Sequence, residues 1–145
     1  MANEATNVQL MGYPPGEAVI ATVAAGTNIS KSTWLVWADE KTVVASSAIN
    51  QSPAGIAAFD KDAADPSTTM SVYTNFVADV TAVTGTVNLP LAGYPIELSG
   101  ANLFRMSAQV AGISGREFIS GSAFIAGKSL ANASAGEVFQ GRFRL

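Results

Sequence analysis

The sequence predicts an all-β domain: a small β-sandwich or barrel of short antiparallel strands, preceded by an extended N-terminal arm. Three observations predict it. In the closing residues, Phe139, Gly141, Phe143 and Leu145 share one parity, while Val138, Gln140, Arg142 and Arg144 share the other. Side chains of a strand alternate between faces, so this is one apolar face and one polar face bearing two cations. A second stretch, residues 70–83, alternates in the same way. Met70, Val72, Phe76, Ala78, Val80 and Ala82 lie on one side, with Thr74 among them, and Ser71, Tyr73, Asn75, Asp79 and Thr81 lie on the other. Elsewhere short apolar runs recur at fairly regular spacing with turn signals between them, the pattern of a sandwich or barrel.

Taken in order, residues 1–16 are polar and end in Tyr13-Pro14-Pro15-Gly16, an extended lead-in, so that residues 17–145 form the single β-domain. Residues 18–25 (AVIATVAA) are apolar on both parities, a strand expected to be covered on both sides. Residues 33–38 (TWLVWA) and 42–45 flank the polar turn Asp39-Glu40-Lys41, the best hairpin of the N-terminal half. Residues 54–59 (AGIAAF) form a short apolar strand, and 60–69 (DKDAADPSTT) an exposed acidic loop. Residues 87–91 and 94–98 are two more short strands, placed at an edge or in irregular pairing by Pro90 and Pro95. Residues 102–106 (NLFRM) fit a strand or a helical turn. Gly112, Gly115 and Gly121 argue against a long helix over 105–130, since each interior Gly costs about 1 kcal/mol relative to Ala. The Ala-Ser-Ala-Gly turn at 133–136 leads into the closing strand. An echo links Ala54-Gly55 and the strand after it with Ala126-Gly127 and the strand after that; the generic look of Ala/Gly-rich hairpins is the preferred reading.

Composition narrows function. At 145 residues the chain has single-domain length, without a Cys or a His. Disulfides and thiolate chemistry are thereby excluded, and the commonest general base and metal ligand are missing. Charged residues are 13%, about half the usual share, and the net charge is −3 with the cations scattered, so no nucleic-acid partner is expected. Neither a secretory leader nor a run long enough for a membrane helix is seen. The sequons at Asn28, Asn50 and Asn132 are read as chance.

The nearest approach to a catalytic motif is Gly121 to Ser129 (GSAFIAGKS). A phosphate-binding loop needs four residues between its first Gly and Gly-Lys-Ser, and here there are five. Gly127-Lys128-Ser129 is read instead as strand, with Lys128 on its solvent face. Asp60, Asp62 and Asp65 begin like a calcium loop, but Ala64, Asp65 and Ser71 occupy positions that require a ligand, a Gly and a Glu. A solvated loop is preferred, with a weak ion site left open. Trp34 and Trp37 are three apart and face opposite ways on a strand, so one fills the core and the other is an interface anchor, or both are buried. Arg142 and Arg144 share a face that is either solvated or meets acidic residues of a neighbouring copy.

The order of Ala54-Gly55-Ile56-Ala57, Ser71-Val72-Tyr73 with Phe76-Val77, and Ile125-Ala126-Gly127, Leu130-Ala131, Ala135-Gly136-Glu137-Val138 and Arg142-Phe143 resembles the small capsid decoration, or cement, proteins of tailed bacteriophages and related archaeal viruses. The resemblance runs from about Gly16 onward as a pattern, and departs at the acidic loop 60–69 and at residues 102–117. Some relatives of this type have been labelled recombinases, for which this chain lacks both the phosphate loop and the basic surface. The resemblance implies a non-enzymatic virion protein without a cofactor, made in the host cytoplasm. It would sit on the outer capsid surface, bound to the major capsid protein as a homotrimer once the shell has expanded. On that reading the arm contacts the capsid through Asn7, Val8, Leu10, Met11 and Tyr13, while Trp34, Trp37, Arg142 and Arg144 face another copy or a partner. Alternatives are another virion β-domain (tail, baseplate or minor capsid subunit) and a carbohydrate- or receptor-binding β-sandwich in which an exposed Trp stacks on sugar.

Overall fold

The computed structural model describes residues 3–11, 17–107 and 125–145. These form ten strands and no helix: β1 (Thr6–Leu10), β2 (Glu17–Thr22), β3 (Trp34–Trp37), β4 (Val43–Ala45), β5 (Pro53–Ala57), β6 (Thr69–Ala82), β7 (Pro95–Leu98), β8 (Leu103–Met106), β9 (Ile125–Ser129) and β10 (Val138–Arg144). The domain is all-β, and it is a barrel with additional strands.

The longest strand, β6, holds the fold together. The pairings β6–β10, β10–β9, β9–β7 and β7–β8 are antiparallel, and β8 returns to β6 in parallel at Thr81↔Leu103 and Ala82↔Phe104, closing a ring of five strands. A second circuit uses the other half of β6. The pairings β6–β2, β6–β5, β5–β3 and β3–β4 are antiparallel, and a parallel bridge Thr22↔Thr42, with the Thr22 N–H donating to the Lys41 carbonyl, joins β2 to the start of β4. The two circuits have the same plan: β2, β3, β4, β5 and β6 correspond in turn to β6, β7, β8, β9 and β10, pair for pair. The echo around Gly55 and Gly127, read from the sequence as generic, is therefore a repeat of strand arrangement. Each glycine stands in the same place, against the backbone of the strand that follows: Gly55 against Tyr73 and Gly127 against Arg142.

Alternation along β6 serves both circuits. Met70 and Val72 enter a smaller core with Ala21, Leu35, Val43 and Ala57. Phe76, Ala78, Val80 and Ala82 enter the larger core with Ile96, Leu98, Phe104, Phe139 and Phe143. Strand β3 is buried on both faces. Leu35 points into the smaller core, while Trp34 and Val36 reach into the larger one. Trp34 is wholly buried and meets Phe143 and Phe104 edge-on at ring-centroid distances of 4.6 and 4.8 Å, and Phe76 at 5.5 Å. Such aromatic contacts contribute about 0.5–1.5 kcal/mol each beyond area burial. One tryptophan thus couples the two halves. Its backbone is also fixed from the second half: the Trp34 N–H donates to Asn102 Oδ1 at 2.8 Å, and the Asn102 N–H donates to Ser46 Oγ at 3.0 Å.

Several expectations change. The first stretch is extended, but it lies on the domain as β1, antiparallel to β6, with Ala5 buried and Val8 and Leu10 packed against the larger core. A register shift, with Asn7 at φ 48°, lets the short polar segment turn those two apolar side chains inward. Strand β2 is covered on one side only, leaving Ile20 78% exposed. Its partner β6 and the smaller core take up just one of its faces. Residues 87–91 form a loop instead of a strand, fixed by the Met106 N–H donating to the Asn88 carbonyl. Pro95 is the first residue of β7, where its missing N–H costs the ladder little; β7 is paired on both sides, so of the two expectations the irregular pairing holds and the edge does not, the register to β9 shifting between Ile96 and Glu97. Residues 102–106 resolve as β8. The segment that carries most of the expected break between 105 and 130 lies outside the described residues.

Candidate functional site

The outward face of four adjacent strands, β1–β6–β10–β9, gathers most of the polar residues singled out in the sequence. One cross-strand row runs Gln9↔Val77↔Arg142↔Lys128. The neighbouring rows place Arg144 opposite Asn75, and Gln140 opposite Asp79. Side chains directly opposite in a ladder share a face, so Lys128, Arg142 and Arg144 stand together, all exposed. Three of the chain's 8 basic residues are on this one face, although the net charge is −3. Arg142 stands directly opposite Lys128 in the ladder, a like-charge pair. Among the described residues neither arginine takes part in an ion pair. Asp79, a carboxylate of this face, accepts a 2.6 Å hydrogen bond from Asn7 Nδ2.

The structure brings together Asn7, Arg142 and Arg144, and adds Lys128. The sequence places Lys128 on a solvent face but does not link it to the arginines, because the pairing of β9 with β10 sets that register. Met11 is exposed beside this face, its N–H donating to the Asn75 carbonyl. Val8 and Leu10, expected as outward contacts, instead face the core: the bulge at Asn7 sets their direction. Tyr13 lies outside the described residues. Trp34 is a core residue and is unavailable to a partner. Trp37 is 36% exposed, on the face it shares with Val43 of the smaller core.

A second surface lies around the acidic loop. A pocket of ≈ 230 Å³ is lined by Ile20, Phe59, Thr69, Met70 and Ser71 together with Asp60, Lys61 and Asp65. Ile20 and Phe59 are 78% and 63% exposed, unusually open for large apolar side chains. The loop is organised by its own cation. Lys61 is buried, and its Nζ donates to the Asp65 carbonyl at 2.9 Å. Asp60, Asp62 and Asp65 each accept a backbone N–H, from Lys31, Ala64 and Ser67 respectively. Among the described residues no three His, Cys, Asp or Glu side chains are grouped to hold a metal ion.

Other polar clusters serve the fold. Glu97, buried on β7, takes Nε and Nη2 of Arg105 on Oε1 at 2.9 and 2.7 Å, and Ser107 Oγ on Oε2 at 3.1 Å. This cross-strand pair locks β7 to β8. Asp39 caps the β3–β4 turn by accepting the N–H groups of Lys41 and Thr42, and these bonds hold its carboxyl below the usual value. Asn28 and Asn132 spend their side-chain oxygens on the N–H groups of Ala63 and Ala92. Lys128 and Ser129 lie on strand β9, as expected, and not at a helix start.

No known family model matches the chain, and no curated protein matches it in sequence.

Proposed function

We propose that this protein is a non-enzymatic structural component of a virus particle. It binds the outer surface of an icosahedral shell, contacts the major capsid protein, self-associates as a homotrimer and stabilises the shell. The supporting observation is the outward face of β1–β6–β10–β9, a broad polar surface carrying Lys128, Arg142 and Arg144 on a body closed by β6. A rigid preformed face loses little conformational entropy on docking. Repeated over a symmetric lattice, modest contacts of this kind sum to large avidity. The pattern resemblance to capsid decoration proteins points the same way, and a tail, baseplate or minor capsid role would use the same face.

The test is co-sedimentation with expanded and unexpanded shells on a density gradient. Saturable binding to expanded shells, in multiples of three copies per symmetry site, supports the reading. A folded protein that binds neither form overturns it. The exposure of Trp37 favours one other reading, a carbohydrate-binding domain in which that ring stacks on sugar. Binding on a glycan array that Trp37→Ala abolishes would favour it over the shell.

A further inference from the structure

We infer that copies of this chain dock on one another, with the Arg142 and Arg144 face of one copy seated on the Ile20–Phe59 pocket of the next. The inference gives the contact for the self-association in the proposed function, and rests on that part of it alone.

The two surfaces complement each other in chemistry. The pocket offers apolar walls in Ile20 and Phe59 and carboxylates in Asp60 and Asp65. A carboxylate has about four acceptor sites, and Asp60 and Asp65 each give one oxygen, Oδ1, to a backbone N–H. Capacity for a guanidinium remains on both. Lys61 also lines the pocket, but its Nζ is turned to the carbonyls of Asp62 and Asp65, so its charge serves the loop. An arginine suits such a place: its stem packs on apolar surface, its plane stacks on an aromatic ring, and its fork meets carboxylates.

The opposite half of the contact stands on the same chain. Arg142 and Arg144 project from one face of β10, and both are exposed. Asp79 shares that face two rows away from Arg144 and is engaged by Asn7. The aliphatic stems of the two arginines therefore meet Ile20 and Phe59, and two cations meet two carboxylates. The two patches use different residues, so the contact is head to tail, and repetition closes a ring or extends a chain.

The experiment is sedimentation velocity on the purified full-length protein, at concentrations up to about 1 mM, the weak end of specific association. Wild type self-associates. Association falls about tenfold or more in Arg142→Glu/Arg144→Glu and in Phe59→Ser, with the circular dichroism spectrum unchanged. Thr69→Lys places a cation at the pocket on a side chain outside the loop caps. It weakens association of the wild type but strengthens that of Arg142→Glu/Arg144→Glu, a reversal of sign that a purely structural effect would not produce. Without any mutation, 1 M salt, where the Debye length is about 3 Å, also weakens the contact. Wild type that stays monomeric, or that associates with no response to these charges or to salt, overturns the inference. Shell co-sedimentation run in parallel separates the two proposals: a monomer that still binds shells removes this contact alone.

Discussion

Gly127 lies so close to Arg142 that a Cβ on the glycine would overlap the arginine's carbonyl oxygen and crowd the Phe143 ring, at 2.7 Å from its edge. Gly127→Ala should therefore force β9 away from β10, at a cost of about 2–3 kcal/mol by overpacking. Gly55→Ala should cost more. It meets the Tyr73 carbonyl in the same way, and its φ of 140° is one that only glycine adopts readily. Gly85, with nothing within 4 Å of its would-be Cβ, is the control, and Gly85→Ala should stay within about 0.5 kcal/mol of wild type. Urea denaturation midpoints give all three.

Trp34 and Trp37 should report two different environments. Trp34→Phe leaves only the partly exposed Trp37, so emission should shift to the red and acrylamide should quench it readily. Trp37→Phe leaves the buried Trp34, which should be shielded. Trp34→Ala should cost about 3–5 kcal/mol. Trp34→Phe should cost less than its lost volume suggests. Among the described residues the buried Trp34 indole N–H has no hydrogen-bond partner, and the substitution removes that donor. Equal quenching of the two single-Trp variants would contradict this placement.

The strands with a strict period of two were legible in the sequence, because alternation is a local consequence of backbone pleating. Strand β10 and the long β6 follow it residue by residue, and the β3–β4 hairpin announces itself through Asp39-Glu40-Lys41. What stayed hidden depends on pairing between distant strands. Nothing local shows that Ile20 looks outward, that Lys128 stands across from Arg142, or that Asn102 holds the backbone of Trp34. The same limit applies to β1. Its polar composition suggests a free arm, and only contact with β6 shows that Val8 and Leu10 have an apolar surface to cover. The repeated strand plan leaves a faint trace, the Ala-Gly pairs at 54–55 and 126–127, since close backbone approach is one of the few tertiary demands that constrains a single residue type.

The turn capped by Asp39 predicts a dependence on acid. Its N–H bonds from Lys41 and Thr42 favour the ionised carboxylate, so the folded pKa lies below 3.8. A group with a depressed folded pKa contributes stability that is fully present above its unfolded value and disappears as pH falls through the folded one. Wild type should thus be more stable than Asp39→Ala at neutral pH, with a constant difference down to about pH 4 and a shrinking one below 3.8. Denaturation midpoints of both proteins across pH 2–7 measure it, and a difference that grows toward low pH would reverse the assignment.

Removal of residues 1–11 should destabilise the domain, not merely detach an arm. The deletion takes away Ala5, Val8 and Leu10, which cover the larger core. It also strips the β1 pairing from Asp79, Val77 and Phe76 of β6. Two half-buried aliphatic side chains and one buried alanine contribute about 2–4 kcal/mol by area. The uncovered length of β6 becomes an open strand edge, a template for pairing with other chains. Lower urea midpoints and concentration-dependent aggregation of the truncated protein should follow. Asn7→Gly, which removes the bond to Asp79 on the exposed face and keeps a residue that adopts the φ of 48° readily, should cost within about 1 kcal/mol. The pair of variants separates the two roles of β1. If shell binding is lost in Asn7→Gly while the midpoint holds, the outward side of β1 contacts the capsid. If binding is lost only in the truncated protein, along with stability, β1 acts by completing the sheet.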